Sequence, residues 1–77
     1  MNEDKILSLF GAHVKSLRLK RNISQEQLAL LSELDRTYIS GIERGKRNIS
    51  FLNILKLASS LNVSPAQLLT FKTENEE

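Results

Sequence analysis

The sequence feature that most constrains the fold is a short connection, Ser32–Asp35, between two helical segments. Apolar residues recur at helical spacing on both sides of it, as in Leu28 and Leu31 before it and Ile39 and Ile42 after it. Two short helices joined by about four residues cross steeply and form a helix-turn-helix. The sequence has no sustained apolar–polar alternation and no two-residue hairpin turn, so it gives no strand signal. It therefore predicts an all-α fold.

Apolar periodicity and capping residues predict five helices in a compact domain. Ser24 and Gln27 have the spacing of a capping box, Asp35 is an expected N-cap, and Gly45 is an expected helix stop. The expected helices span about Lys5–Arg21, from after Ser24 through Leu31, from after Asp35 to near Arg44, from after Ser50 to Leu61, and from Ser64 onward. We expect one domain over residues 1–77, folded from about 5 to 71, with flexible acidic ends at 1–4 and 72–77.

Several function classes lack support in the composition. The chain has no cysteine, which excludes disulfides and thiolate metal sites, and His13 is its one histidine. The carboxylates are dispersed, and no Ser/His/Asp constellation is indicated, so we expect no enzyme, metal or cofactor. No apolar run approaches the roughly 20 residues that span a bilayer, and no signal-peptide pattern follows Met1. We expect a cytoplasmic protein that does not associate with membranes.

The charges are distributed unevenly along the chain. The formal net charge is +2, and five of the nine acidic residues lie near the two ends. Between Lys15 and Lys56, nine basic and four acidic residues give a net charge of +5. A basic middle is typical of a surface that binds a polyanion, although a solvated mixed-charge surface explains the same balance equally well.

The start of the third predicted helix carries the residues that suit base recognition. In a helix-turn-helix, the second helix presents its N-terminal side chains to the major groove. Here these are Arg36, Thr37 and Tyr38. Arginine pairs with guanine through two hydrogen bonds, threonine contacts a base or a thymine methyl, and the Tyr38 hydroxyl suits a phosphate or base. Gly41, one turn later, is expected to allow close approach of the helix to a base pair.

These segments resemble a known family. Ser24-Gln25-Glu26, Leu28-Ala29 and Ile39–Gly45 are similar to the Cro/C1-type (xenobiotic-response-element) helix-turn-helix domain, and the resemblance covers about Phe10–Leu69. Asp-Arg-Thr-Tyr-Ile-Ser followed by Ile-Glu-Arg further resembles controller proteins of bacterial restriction–modification systems. The resemblance implies a lambda-repressor-like domain that binds double-stranded operator DNA. Phage-type and chromosomal repressors share much of this pattern and stay open as alternatives, as does a different class, an antitoxin or adaptor module.

The resemblance also implies roles for individual residues. Arg36, Thr37 and Tyr38 would read bases, while Arg18 and Glu43 would form an internal salt bridge. The residues expected at the DNA backbone are Ser24, Gln25, Ser40, Arg44, Lys46, Arg47 and Asn48. Many family members have glycine at the position of Glu33, where a positive φ is often needed. Glutamate would be strained there by about 1 kcal/mol.

The C-terminal part of the chain suggests an oligomer. This part offers more apolar surface than one small core absorbs, from Leu52, Leu55, Leu68, Leu69 and Phe71. Burial within the chain is the alternative for about half of this surface. The family usually dimerises through this end, so we expect a homodimer on a near-palindromic operator. A controller would also activate transcription. That activity implies a contact with RNA polymerase on a surface that the sequence does not identify.

Overall fold

The computed structural model describes residues 2–73, and these residues contain five α-helices and no strand. The helices are α1 (Glu3–Lys20), α2 (Gln25–Ser32), α3 (Arg36–Glu43), α4 (Phe51–Ser60) and α5 (Pro65–Leu68). The predicted all-α fold with five helices is therefore confirmed. Among the helices of residues 2–73, none combines the length and the apolar character needed to cross a membrane.

Side-chain caps explain where most helices begin. Ser24 and Ser64 each form a capping box with the glutamine three residues later, and Ser50 Oγ accepts from the Asn53 backbone N–H at 3.3 Å. The expected N-cap role of Asp35 is only half right. Asp35 occupies the N-cap position of α3, but its exposed carboxylate makes no capping hydrogen bond.

The expectation of a flexible N-terminus is wrong for Glu3 and Asp4, which form the first turn of α1. Asn2 Oδ1 accepts from the Lys5 backbone N–H at 3.1 Å, and the two acidic side chains suit the positive end of the helix dipole. At the other end, Lys72 and Thr73 follow α5 without regular secondary structure. The expectation for Met1 and residues 74–77 lies outside the described residues.

The core lies where all five helices meet. Its buried side chains are Phe10, Val14, Leu28, Ile39, Ile42, Leu57, Ala58, Leu61 and Leu68. Full burial of each large aliphatic side chain stabilises the folded state by about 1.5–3 kcal/mol. Because all five helices contribute residues to this core, the core fixes the relative positions of the helices.

Two backbone features set the position of α3. A Cβ at Gly11 would collide with the carbonyl oxygens of Ile42 and Glu43, so glycine permits the close crossing of α1 and α3. Glu33, at the end of α2, has φ 61° and ψ 31°. This is the left-handed conformation expected there, because many family members have glycine at this position. The Leu34 N–H donates to the Ala29 carbonyl at 3.2 Å and closes this turn. The α2–α3 connection is thus a tight turn built on a strained residue.

Candidate nucleic-acid interface

Helix α3 is divided sharply between a buried and an exposed side. Ile39 and Ile42 are 0% and 1% exposed and anchor the helix in the core, while Arg36 and Thr37 are exposed at its N-terminus. Arg36, Thr37 and the half-buried Ser40 line one shallow groove together with Asp35. The structure therefore brings three of the predicted DNA-contacting residues onto one surface, offering several hydrogen-bond donors and one positive charge.

A buried ion pair ties α3 to α1. Arg18 Nε donates to Glu43 Oε2 at 2.7 Å, and Arg18 Nη2 donates to Glu43 Oε1 at 3.0 Å, which is a two-bond arrangement. The hydrogen bonds that Arg18 donates to the Glu43 carboxylate raise the pKa of Arg18, so the guanidinium stays charged. Arg18 Nη1 also donates to the Ile23 carbonyl at 2.9 Å. The Arg18 side chain is buried and donates from all three of its nitrogens, which fits its expected structural role.

The start of α2 lies next to this ion pair. Gln25 Nε2 donates to Glu43 Oε1 at 3.1 Å, while Ser24 Oγ accepts from the Gln27 backbone N–H at 3.0 Å. Gln25, one of the expected DNA-backbone contacts, is therefore fixed in place through Glu43. One N–H of its amide and the Ser24 hydroxyl hydrogen are not used in these bonds.

Tyr38 is held by three neighbours rather than projecting freely. Asn53 Nδ2 donates to Tyr38 Oη at 3.1 Å, and Tyr38 Oη donates to the Asn48 carbonyl at 3.4 Å. The guanidinium carbon of Arg47 lies 5.1 Å from the centre of the Tyr38 ring, a cation–π distance. Sequence reasoning missed Asn53 because no spacing rule relates a residue on α4 to one on α3.

The expected role of Gly41 is wrong. Gly41 is buried, and a Cβ there would collide with Arg47 Cγ, so the glycine makes room for the Arg47 side chain rather than for DNA. A glycine inside a helix costs about 0.5–1 kcal/mol relative to alanine. A glycine at this costly position inside a predicted helix was the feature of the sequence that could have indicated tight packing at Gly41.

The remaining expected backbone contacts lie in the loop that follows α3. Gly45 has φ 76° and turns the chain after α3, and the four expected contact residues of this loop are exposed. These are Arg44, Lys46, Arg47 and Asn48. The loop thus carries three positive charges, and that of Arg47 lies over Tyr38 in the first turn of α3.

The predicted dimer interface needs two corrections. Leu68 is 0% exposed and belongs to the core, so its side chain cannot contact a partner. Phe71 is half-buried, and its ring centre lies 5.7 Å from those of both Phe10 and His13, so it packs mainly within its own chain. Leu52 and Leu55 do remain exposed, at 66% and 37%.

Two further side chains extend this apolar surface. Phe51 and Leu69 are 71% and 50% exposed. Leu69 was among the apolar residues expected at the interface. Phe51 was not, because a helical pattern alone does not separate the core side of α4 from its outer side. The exposed large apolar residues of α4 and of the position after α5 are Phe51, Leu52, Leu55 and Leu69, and we call this set the apolar face.

Comparison with known proteins agrees with this architecture. Residues 14–68 match the Helix-turn-helix family. The control protein C.BamHI of Bacillus amyloliquefaciens is 52% identical over 71 residues, which cover 91% of this chain and 88% of that protein.

Two solved structures of restriction-modification controller proteins are also similar to this chain. The crystal structure of the restriction-modification controller protein C.AhdI from Aeromonas hydrophila has a TM-score of 0.80 and 51% identity, covering 82% of this chain and 96% of that chain. The controller protein C.Esp1396I, crystallised as a tetramer with its natural 35 base-pair operator, has a TM-score of 0.76 and 41% identity, covering 82% and 83%.

Proposed function

The chain belongs to the helix-turn-helix family and, within it, to the restriction–modification controller proteins, and from this membership we propose that it is a sequence-specific DNA-binding transcription regulator. It acts as a homodimer on a palindromic operator. The observation that carries the proposal is the geometry of α3, whose inner side is locked into the core while its donor-rich start is exposed. Arg47, from the basic loop that follows α3, packs on Tyr38 in the first turn of the helix. C.Esp1396I, a relative, was crystallised on its operator, which supports the same mode of binding.

The proposed division of tasks follows the exposure of the side chains. Arg36 and Thr37 read base edges in the major groove, with Tyr38 beside them. The contacts to the DNA backbone come from Ser24, Gln25, Ser40, Arg44, Lys46, Arg47 and Asn48. Such contacts fix the register of the protein on the duplex without reading sequence. The Arg18–Glu43 pair holds α3 at the angle that base reading needs.

The biological role that we propose is that of a controller in the cytoplasm. The protein would regulate its own gene and the endonuclease gene, so that the endonuclease appears after the methyltransferase. Activation within this role requires a contact between the bound dimer and RNA polymerase. The regulator binds DNA without metal or cofactor and catalyses no reaction.

A reporter experiment tests this proposal. The DNA upstream of the gene for this protein would be fused to a reporter, and expression measured with and without the protein supplied from a second plasmid. We expect wild type to change expression severalfold, while the variant Arg36→Ala/Thr37→Ala, which alters exposed residues only, leaves it near the level without protein. Equal expression with wild type and without protein would contradict the proposed role.

A further inference from the structure

The contacts of Tyr38 fix the orientation of its side chain. The ring packs under the Arg47 guanidinium, and the hydroxyl accepts a hydrogen bond from Asn53 on α4. Both Tyr38 and Asn53 are half-buried. Gly41 contributes indirectly, because its missing Cβ lets the Arg47 side chain cross α3 toward the ring. Tyr38 therefore reaches the DNA-facing side with its position and direction already set.

The direction of the Asn53 hydrogen bond determines what the Tyr38 hydroxyl can offer. A phenol has one O–H donor and lone pairs that accept, whereas the amide nitrogen of asparagine only donates. Because Asn53 Nδ2 donates at 3.1 Å, a lone pair of Tyr38 Oη is used and the O–H must point elsewhere.

The phenolic O–H has only a weak partner within the described residues. It donates to the Asn48 carbonyl at 3.4 Å, and O–H···O bonds are usually about 2.7–2.8 Å long. A better acceptor can therefore replace the Asn48 carbonyl at little cost. The Tyr38 hydroxyl is a donor ready for another partner.

We propose that Asn53 is a positioning residue for DNA recognition, which by donating to Tyr38 Oη directs the hydroxyl hydrogen to an acceptor on DNA. The inference rests on the proposed function and adds to it a specificity-determining residue on α4. The acceptor is a phosphate oxygen or an acceptor atom of a base edge, such as guanine O6 or N7, adenine N7 or thymine O4. Asn53 itself need not touch DNA.

A double-mutant cycle tests the proposal. The ligand is a duplex recovered from a random-sequence pool by the wild-type protein, and affinity is measured by fluorescence anisotropy. We expect Asn53→Ala and Tyr38→Phe each to weaken binding by roughly 3- to 10-fold, the loss expected for one hydrogen bond. In the Tyr38→Phe background, Asn53→Ala should weaken binding by less than about twofold. Ser16→Ala, at an exposed position on α1, is the control and should leave affinity unchanged.

A second variant tests the direction of the bond. In Asn53→Asp, the carboxylate accepts the phenolic O–H and removes it from DNA, while its charge repels DNA whether or not Tyr38 has a hydroxyl. The loss should therefore be larger in the wild-type background than in the Tyr38→Phe background. Each loss is the ratio of two affinities measured in the same background, and Asn53→Ala does not enter the comparison. The comparison therefore holds even if Asn53→Ala folds poorly. Melting curves followed by circular dichroism would identify such a variant.

The possible results separate the inference from the proposed function. If wild type enriches no sequence from the pool, the proposed function fails. If wild type binds its selected DNA but substitution of Asn53 costs the same with and without the Tyr38 hydroxyl, Asn53 has only a structural role and the inference fails.

Modified duplexes distinguish the two sources of the acceptor. Single methylphosphonate linkages remove the charge from individual phosphates, and 7-deazapurines remove individual N7 acceptors. If a modification removes the acceptor itself, wild type and Tyr38→Phe should bind that modified duplex with equal affinity. If none does so, and replacement of each base pair in turn leaves the difference intact as well, the proposed donor role of Tyr38 is contradicted.

Discussion

At the scale of single residues, Arg36 is the side chain that we propose distinguishes one base from another. It is exposed, it lies at the N-terminus of α3, and it shares a groove with Thr37 and Ser40. We expect Arg36→Ala to lower affinity for the selected operator by roughly 1–3 kcal/mol and to relax specificity at one base pair. Titrations against the operator and against random DNA would measure both. An equal loss on the two DNAs would refute a base-reading role.

Arg47 has a different task at the same scale. Its exposed side chain crosses Gly41 and stacks on Tyr38, which brings its charge to the first turn of α3. We expect Arg47→Ala to weaken binding to operator and random DNA alike and to reduce the slope of log affinity against log salt by about one. Lys15→Ala, which removes the same charge from α1, serves as the matched control. An unchanged slope for Arg47→Ala would remove Arg47 from the phosphate contacts.

Some residue roles could be predicted from the sequence and others could not. The exposed positions of Arg36 and Thr37 at the start of α3 follow from their place after an N-cap residue. Glu33 was identified because glycine often occupies its site. The contact between Tyr38 and Asn53 depends on where the tertiary fold places α4 relative to α3, and no local pattern encodes it. The burial of Leu68 likewise depends on how α5 closes over the core.

At the scale of helices and turns, the α2–α3 turn is the strained element. Glu33 has φ 61°, where a side chain costs about 1–2 kcal/mol, and glycine avoids most of that cost. We expect Glu33→Gly to raise the free energy of unfolding by about 0.5–1 kcal/mol, part of the gain being offset by the greater freedom of glycine in the unfolded chain. Urea denaturation would measure this difference.

Asn22 provides the matched control for the turn. It also has a positive φ, 60°, but asparagine tolerates this conformation better than glutamate does. Asn22→Gly should therefore change stability less than Glu33→Gly. If Glu33→Gly is no more stable than wild type, the turn is not strained in the way that its backbone angles indicate.

The helix boundaries themselves were largely predictable because capping residues act locally. Ser24, Ser50 and Ser64 begin helices where the sequence indicates, and Gly45 adopts the positive φ expected after α3. Glu3 and Asp4 were assigned to a flexible end because they are acidic, although acidic residues also stabilise the first turn of a helix. Composition alone does not separate these two cases.

At the scale of the whole molecule, the apolar face is the surface best suited to join two copies. Its four residues (Phe51, Leu52, Leu55 and Leu69) are exposed in the single chain, and a small domain gains stability by burying such a surface. We expect wild type to melt at a temperature that rises with protein concentration, because a dimer is stabilised by mass action. Leu52→Glu should melt independently of concentration and have the mass of a monomer.

Leu30→Glu is the control for this prediction. Leu30 is 80% exposed on α2 and is not one of the four residues of the apolar face, so the same substitution there should leave the dimer mass unchanged. Analytical ultracentrifugation across micromolar concentrations would give both masses. A monomeric wild type over this range would contradict a stable dimer in solution.

The central claim is that two copies of α3 read a two-fold symmetric DNA site. Selection from a random-sequence DNA pool by the purified protein, followed by sequencing, tests this claim most directly. We expect enrichment of a near-palindrome whose half-sites lie about 34 Å apart, one turn of DNA. Recovery of no enriched sequence, or of an enriched sequence without two-fold symmetry, would contradict the claim.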